Sequence, residues 1–214
     1  MRQLRLFAAP LLVLFMASLP ARCQDPPAVN PFATRDNTRI DAVPGYVELS
    51  DGTIHPGQIY LTRDARLKIF DGEQQRNRDV PLQAAKRIEC KVEREWMEKE
   101  WRFKENANDE KVFTGRSYPT REYVHTITLQ DGRKIHGPLS GIVYVQAEGS
   151  NDREAKRFLL HERDKGPPGS ELKSLSYVRV IELGEKALDE GKRRAQAAEE
   201  SRKKNEQKEK TKRT

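Results

Sequence analysis

The side chains best suited to acid–base, nucleophilic or metal chemistry stand far apart along this chain. They are the four histidines and the second of two cysteines, namely His55, Cys90, His125, His136 and His161. A transition-metal site needs ligands at short coordinated spacings such as H-x-x-x-H or C-x-x-C, and the sequence has neither. It also lacks a G-x-S-x-G elbow and a glycine-rich phosphate loop. The sequence therefore predicts isolated surface histidines, no catalytic, cofactor-binding or metal-binding residues, and no cofactor.

Acidic residues leave one enzymatic alternative open. The chain carries 33 Asp and Glu, so acid pairs are expected from their number alone. A hydrolase whose acid residues come together only in the fold would need two facing carboxylates roughly 5–10 Å apart. Cys90, in contrast, alternates with Ile88 and Val92 as in a strand with one apolar face. This pattern predicts a small buried side chain and leaves a reactive thiol as the alternative.

The net charge of +7 lies at the two ends of the chain. Residues 1–23 contain three arginines and no acid, and residues 185–214 contain 11 Lys or Arg against 7 Asp or Glu. These two segments contribute +3 and +4, so residues 24–184 are neutral. A basic face for nucleic acid on the body of the protein is therefore not expected.

Residues 1–23 have the pattern of a secretory signal peptide. Arg2 and Arg5 precede the apolar run Leu6–Leu19, and polar, proline-rich sequence follows. The apolar run is shorter than the ~20 residues that a membrane span needs. We therefore predict an exported protein, periplasmic or extracellular, with cleavage near Ala21–Cys23 and no transmembrane span afterwards. Lipidation of Cys23 is the alternative, and residues 24–45 are predicted to form a proline-rich linker.

A repeated hairpin signal organises the body of the chain. Two Asp-Gly pairs, 80 residues apart, each lie between runs of alternating apolar residues. They are Asp51-Gly52 within Tyr46–Leu61 and Asp131-Gly132 within Ile127–Val145. The matching Asp-Gly pairs at this fixed offset indicate duplication of one small β unit. Residues 46–92 and 123–183 are predicted to form two such units, and the short strands of each are expected to curl into a small barrel.

The pattern V-x-L-x-D-G-x-x-x-x-G-x-I at Val47–Ile59, with a closing I-x-x-x-V at Ile88–Val92, resembles an Sm-like small barrel. This resemblance implies barrel topology for each unit. It does not extend to RNA binding, because Asp64–Lys68 ends in lysine where the RNA-binding family has asparagine. No nucleic-acid partner is therefore expected. The chain as a whole also resembles exported proteins of planctomycete-type bacteria.

Between the two units, Glu93–Lys104 (EREWMEKEWRFK) consists of strong helix formers. Residues 93–122 are therefore predicted to be a connecting helix and loop. On a helix, Trp96 and Trp101 would lie on different apolar stripes, so the helix could pack against both barrels. The alternative is an exposed platform on which Trp96 and Trp101 bind a glycan or peptide. The charged residues 184–214 predict a helix that is interrupted at Gly191 and passes into disorder.

Together these features predict a mainly β protein with two small Sm-like antiparallel β-barrels joined by a helix, followed by a charged helical to disordered tail. The favoured function is an exported, non-enzymatic interaction or structural module of the bacterial cell envelope. Its partner would be a protein or an envelope polymer. The alternative is an envelope hydrolase that uses acid residues brought together only in the fold.

Overall fold

Strands make up most of the computed structural model, which describes residues 39–104, 109–147 and 155–213. The strands are β1 (Val43–Leu49), β2 (Ile54–Leu61), β3 (Leu67–Asp71), β4 (Arg76–Val80), β5 (Ala85–Phe103), β6 (Lys111–Leu129), β7 (Lys134–Gly137), β8 (Leu139–Gln146), β9 (Lys156–Leu160), β10 (Arg163–Lys165) and β11 (Val178–Leu183). Short 3₁₀ turns at Leu82–Ala84 and Leu172–Ser174 precede β5 and β11, and helix α1 spans Glu185–Arg213. The prediction of a mainly β protein with a C-terminal helix is confirmed. The predicted signal peptide and the linker up to residue 38 lie outside the described residues.

Both Asp-Gly turns have the geometry that their sequence predicts. Gly52 and Gly132 have φ of +81° and +86°, a left-handed conformation that glycine adopts without strain. In each turn the glycine amide donates to the carbonyl of the leucine three residues earlier, at 3.0 Å. The carboxylates of Asp51 and Asp131 accept the amide two residues on, at 2.8 and 3.0 Å. The hairpins β1–β2 and β6–β7 are therefore built alike.

The two halves of the chain exchange these hairpins. In the first half, β1 pairs with β11 and β2 pairs with β8, both from the second half. In the second half, β6 pairs with β5, and residues 136–140 bond to β3. One group of strands therefore runs β11-β1-β2-β8-β9, and the other runs β5-β6-β7 and then β3-β4. Pairing of β5 with β11, and of β3 with the first residues of β8, joins the two groups into one sheet.

The pairing register is the same in the two groups. Val47 lies opposite Ile181, and Ile127 lies opposite Ile88. These partners occupy equivalent positions of the repeat. Val47 and Ile127 are 80 residues apart, and Ile88 and Ile181 are 93 residues apart. At the junction between the groups, Ile88 lies opposite Ile181 itself. The halves are thus arranged about an approximate internal two-fold centred on this pair.

Two corresponding glycines allow the halves to approach closely. A Cβ placed on Gly57 would collide with the carbonyl oxygen of Gln146, which belongs to the second half. A Cβ placed on Gly137 would collide with the carbonyl oxygen of Phe70, which belongs to the first half. Glycine is needed here because two backbones meet at a distance that leaves no room for a side chain.

The prediction of two separate barrels is not confirmed. The described strands form a single sheet of 11 strands that does not close. The physical reason lies in the long β5–β6 hairpin, in which the last strand of the first half pairs with the next strand along the chain. Neighbouring strands need little loop-closure entropy to meet. Because β5 pairs with β6, β1 pairs instead with β11, the last strand of the second half.

The predicted connecting helix is wrong. Residues 93–103 continue β5 and pair with β6 as far as Phe103, which lies opposite Lys111. The facing stretch includes Val112, Phe113 and Thr114, residue types that favour strands. Helix propensity amounts to only a few tenths of a kcal/mol per residue, and tertiary context overrides it. Cross-strand pairing therefore decides the conformation of this segment.

Helix α1 packs its first turns against β1. Leu188 is buried, and a Cβ on Gly191 would lie 2.6 Å from the Cβ of Tyr46. Arg194 donates to Tyr46 Oη at 3.1 Å and to Glu48 Oε2 at 2.8 Å. Gly191 therefore does not interrupt the helix as predicted, because its missing side chain lets the helix approach the sheet. The described residues of the tail, Glu185–Arg213, are helical.

The hydrophobic core draws on both halves. Its most completely buried members are Val47, Ile59, Leu67, Ile69, Ile88, Ile127, Ile135, Leu139, Val143 and Ile181. Along each strand these residues alternate with more exposed ones, as expected for a sheet with one buried face. Because the hairpins are exchanged, each half covers the apolar face of the other.

Candidate functional site

Strands β5 and β6 extend beyond the rest of the sheet as a two-stranded ribbon. We call residues 93–103 and 111–122 the arm. β10 pairs with the arm at residues 120–122, and the loop after β10 donates hydrogen bonds to β6 as far as Ser117. From Ser117 to the tip of the arm, no other strand of the described chain pairs with it, and residues 111–116 are all exposed. The arm therefore ends in a ribbon with two open edges.

One face of the arm carries exposed aromatic rings. Trp101 lies opposite Phe113, and Phe103 follows two residues later on β5, so the three rings share a face. The rings of Trp101 and Phe103 meet edge to face, with 5.1 Å between centroids. Lys111 Nζ lies 4.2 Å from the Trp101 ring centroid. The exposed fractions are 37% for Trp101, 49% for Phe103 and 61% for Phe113. We call this surface the aromatic face.

The opposite face of the arm is polar. The Glu100 carboxylate accepts a hydrogen bond from Thr114 Oγ1 at 2.5 Å and another from Arg116 Nε at 2.8 Å. Val112 lies opposite Arg102 on this same side of the ribbon. The acidic, hydroxyl and basic groups here form hydrogen bonds with one another, whereas the rings of the aromatic face are open to solvent. The two faces therefore differ in what they can bind.

The two tryptophans predicted as a platform or bridge lie apart. Trp96 is half-buried at the base of the arm, with the guanidinium carbons of Arg94 and Arg163 at 5.5 and 5.2 Å from its ring centroid. Trp96 and Trp101 are five residues apart on one strand, and an odd separation directs side chains to opposite faces. The structure thus places Trp96 in a cation–π stack and Trp101 on the aromatic face, and it does not bring the two indoles together.

A cleft beside the base of the arm is lined by three buried titratable groups, Cys90, Tyr123 and His125. Cys90 lies opposite His125 across β5 and β6, and both are buried. Burial lowers the pKa of His125 to about 4 and raises the pKa of the Cys90 thiol to about 12, because an apolar surrounding disfavours charge. At neutral pH both groups are therefore uncharged, and the prediction of a buried Cys90 is confirmed. The prediction of a surface histidine is wrong for His125, which is only 1% exposed.

Sequence reasoning missed this cleft, although one signal for it was present. Tyr123, His125 and Ile127 alternate along β6, so they share the face that turns toward the core. The alternation could have identified His125 as buried. No spacing along the chain could have identified Tyr177, which reaches the Tyr123 ring from the segment before β11, with 4.9 Å between centroids.

A second, wider cavity of about 900 Å³ is lined by paired charges. Glu48 is buried, and its carboxylate accepts hydrogen bonds from Arg179 and Arg194. Arg87 donates to the carboxylates of Glu89 and Glu182. A hydrolase would need an acid that can hold or give up a proton in the cleft. The carboxylates of Glu48, Glu89 and Glu182 are instead held in ion pairs with arginine side chains, and this arrangement does not favour the hydrolase alternative.

Within the described part of the chain, no group of three or more His, Cys, Asp or Glu side chains is placed to hold a metal ion. The same residues include no helix that is both long enough and apolar enough to cross a membrane. Compared with protein-family models, curated proteins and solved structures, the chain matches none of them.

Proposed function

We propose that this protein is a non-enzymatic interaction module exported to the bacterial cell envelope, and that the aromatic face of the arm binds another protein. The observation that carries the proposal is the exposure of Trp101, Phe103 and Phe113 on one face of a ribbon that extends beyond the core. Large exposed apolar surfaces bordered by polar groups mark interaction sites in soluble proteins.

The chemistry of the face suits the centre of a protein interface. Tryptophan and other aromatic side chains dominate the binding energy of many interfaces, because each ring contributes a large rigid contact area. The three rings are about half exposed, so of the roughly 150–250 Å² that each ring can bury, about 200–350 Å² in total is left for a partner. A standard interface buries about 800 Å² on each partner, so the partner must also contact parts of the arm around the rings.

A protein partner fits the arm better than an envelope polymer does. Both edges of the ribbon beyond Ser117 offer backbone N–H and C=O groups that no strand of the described chain uses. An extended protein segment can pair with such an edge by adding a strand, while its side chains cover the adjoining rings. A glycan can stack on aromatic rings but cannot continue a β ladder. Met97, 44% exposed at an alternate position of β5, lies on the same side of the strand, with the exposed Lys99 between it and Trp101.

Site-specific photocrosslinking tests the proposal. A photoreactive phenylalanine analogue would replace Phe113 on the aromatic face or, as a matched control, Val112 on the polar face of the same strand. We expect Phe113 to give a discrete protein adduct in intact envelopes and Val112 to give none or far less. Trp101→Ala should remove the adduct. Equal adducts at the two positions, or adducts only to glycan, would contradict binding of protein by the aromatic face.

Export is a separate part of the proposal and rests on residues 1–23. When the chain is expressed in a Gram-negative host, we expect it in the periplasm with an N-terminus between Arg22 and Asp25. Intact-mass measurement of the purified protein checks both points. A retained Met1 or a diacylglyceryl group on Cys23 would refute cleavage by an ordinary signal peptidase.

We also propose that the fold arose by duplication of a five-stranded unit similar to the Sm-like barrel. The matching Asp-Gly turns and the equivalent pairs Val47–Ile181 and Ile127–Ile88 support this origin. In each half a 3₁₀ turn precedes the closing strand. Exchange of the first hairpins between the halves then accounts for a single sheet in place of two barrels.

A further inference from the structure

The cleft beside the base of the arm lies where the sheet is left open. Residues 81–84 link β4 to β5 in the first half, whereas the corresponding link from β9 to β11 spans residues 161–177. The longer link connects β9 to β11, which do not pair with each other, and a cleft of about 370 Å³ lies beside it. Its lining is Leu49, Cys90, Tyr123, His125, Arg157, Phe158, Leu159, Leu160, His161, Asp164, Ser176, Tyr177 and Val178.

Two polar atoms in the wall of this cleft lack hydrogen-bond partners among the described residues. They are Tyr123 Oη and His125 Nδ1, on side chains only 2% and 1% exposed. Leaving a buried polar group unpaired is unfavourable, because the group loses its hydrogen bonds to water and gains none in return. Nearly all buried polar groups in folded proteins have a partner. Two unpaired groups that line the same cleft therefore indicate that something outside the described chain satisfies them.

The size and the walls of the cleft indicate the kind of occupant. A single buried water takes up about 30 Å³, while small-molecule sites begin near roughly 300 Å³, so the cleft is large enough for a small molecule. The Tyr123 ring lies close to the rings of His161 and Tyr177, with 6.2 and 4.9 Å between centroids. Rings arranged in this way offer flat surfaces to a ligand ring. Of the two charged residues in the lining, Arg157 is exposed, and Asp164 is half-buried with its carboxylate 3.8 Å from His161 Nε2.

We propose that this cleft binds a small uncharged ring compound bearing one hydroxyl or similar hydrogen-bonding group, which pairs with Tyr123 and His125. The ring packs against the aromatic and aliphatic walls. The polar group enters the buried end of the cleft. A charged group is disfavoured there because burial keeps the neighbouring His125 neutral and raises the pKa of Tyr123.

Phenol and toluene provide a matched pair of probes, since they share a ring and differ in one hydroxyl. Each would be titrated into the full-length protein while amide NMR shifts of β6 and β9 are followed. We expect phenol to shift resonances of residues around Tyr123 and to bind about tenfold more tightly than toluene, the worth of one good hydrogen bond. In Tyr123→Phe this preference should fall at least about threefold, because the variant keeps the ring and loses Oη.

Two further variants make the result decisive. Tyr144→Phe alters a tyrosine that stacks on Tyr60, outside the cleft lining, and should leave the phenol preference unchanged. Ser176 lines the cleft at an exposed position, so Ser176→Trp should block binding of both probes. This variant tests the proposal if Tyr123→Phe fails to fold. Equal affinities for phenol and toluene, or an unchanged preference in Tyr123→Phe, would overturn the proposal. Shifts from neither probe would leave ordered water as the occupant and would also overturn it.

Discussion

Replacing His125 by glutamine removes a histidine that folding buries in its uncharged form. The pKa of His125 falls from 6.5 to about 4 because burial disfavours the imidazolium. Between these two pKa values the unfolded chain binds more protons than the folded one, so stability rises with pH across this window. The stabilising effect of the neutral imidazole is complete above the unfolded pKa and is lost as the pH falls toward the folded pKa.

The magnitude follows from these two pKa values. A pKa that falls from 6.5 to about 4 corresponds to about 3 kcal/mol, at about 1.4 kcal/mol for each tenfold change in proton affinity. Most of this difference, about 2 kcal/mol, is lost between about pH 7 and about pH 5. Folded domains are typically stable by roughly 5–15 kcal/mol, so the loss is a sizeable share of the total. It is therefore measurable by ordinary denaturant unfolding.

Urea unfolding of the wild type and of His125→Gln, at about pH 7 and about pH 5, measures the effect. The wild type should lose about 2 kcal/mol more than the variant on acidification, because the variant has no imidazole to protonate. His136→Gln is the matched control, since His136 is exposed in the folded chain, and it should behave as the wild type does. If His125→Gln and the wild type lose equal stability, His125 is not buried in its neutral form and the reasoning fails.

Two comparisons test the fold and the arm. Gly57→Ala and Gly137→Ala should each destabilise the protein by roughly 3 kcal/mol, because both create a clash between the halves; Gly52→Ala, which strains only a turn, should cost about 1 kcal/mol. If Gly52→Ala lowered the urea midpoint as much as Gly57→Ala and Gly137→Ala do, the result would contradict the hairpin exchange. Trp96→Ala should cost about 2 kcal/mol through lost packing and two cation–π contacts, whereas Trp101→Ala should change stability by less than about 1 kcal/mol. The reverse order of midpoints would show that Trp101, and not Trp96, supports the fold.

Some segments could be assigned from the sequence because their structure depends on near neighbours. Asp51-Gly52 and Asp131-Gly132 form their turns through φ and hydrogen bonds within a few residues. The apolar alternation around Cys90 places it on the buried face of β5 whichever strand lies beside it. Glu93–Lys104 is the opposite case. Its residues favour a helix by themselves, and only the facing residues of β6 make it a strand.

The sequence by itself determined the repeat, the turns and the buried position of Cys90, since these follow from local conformation and strand periodicity. Only the tertiary structure decided which strands pair, because every antiparallel strand offers the same backbone groups and the choice depends on the whole set of partners. That choice sets β1 beside β11 and extends β5 and β6 into the arm. It also leaves β9 and β11 apart, and this separation places Tyr123, His125 and Tyr177 around one cleft.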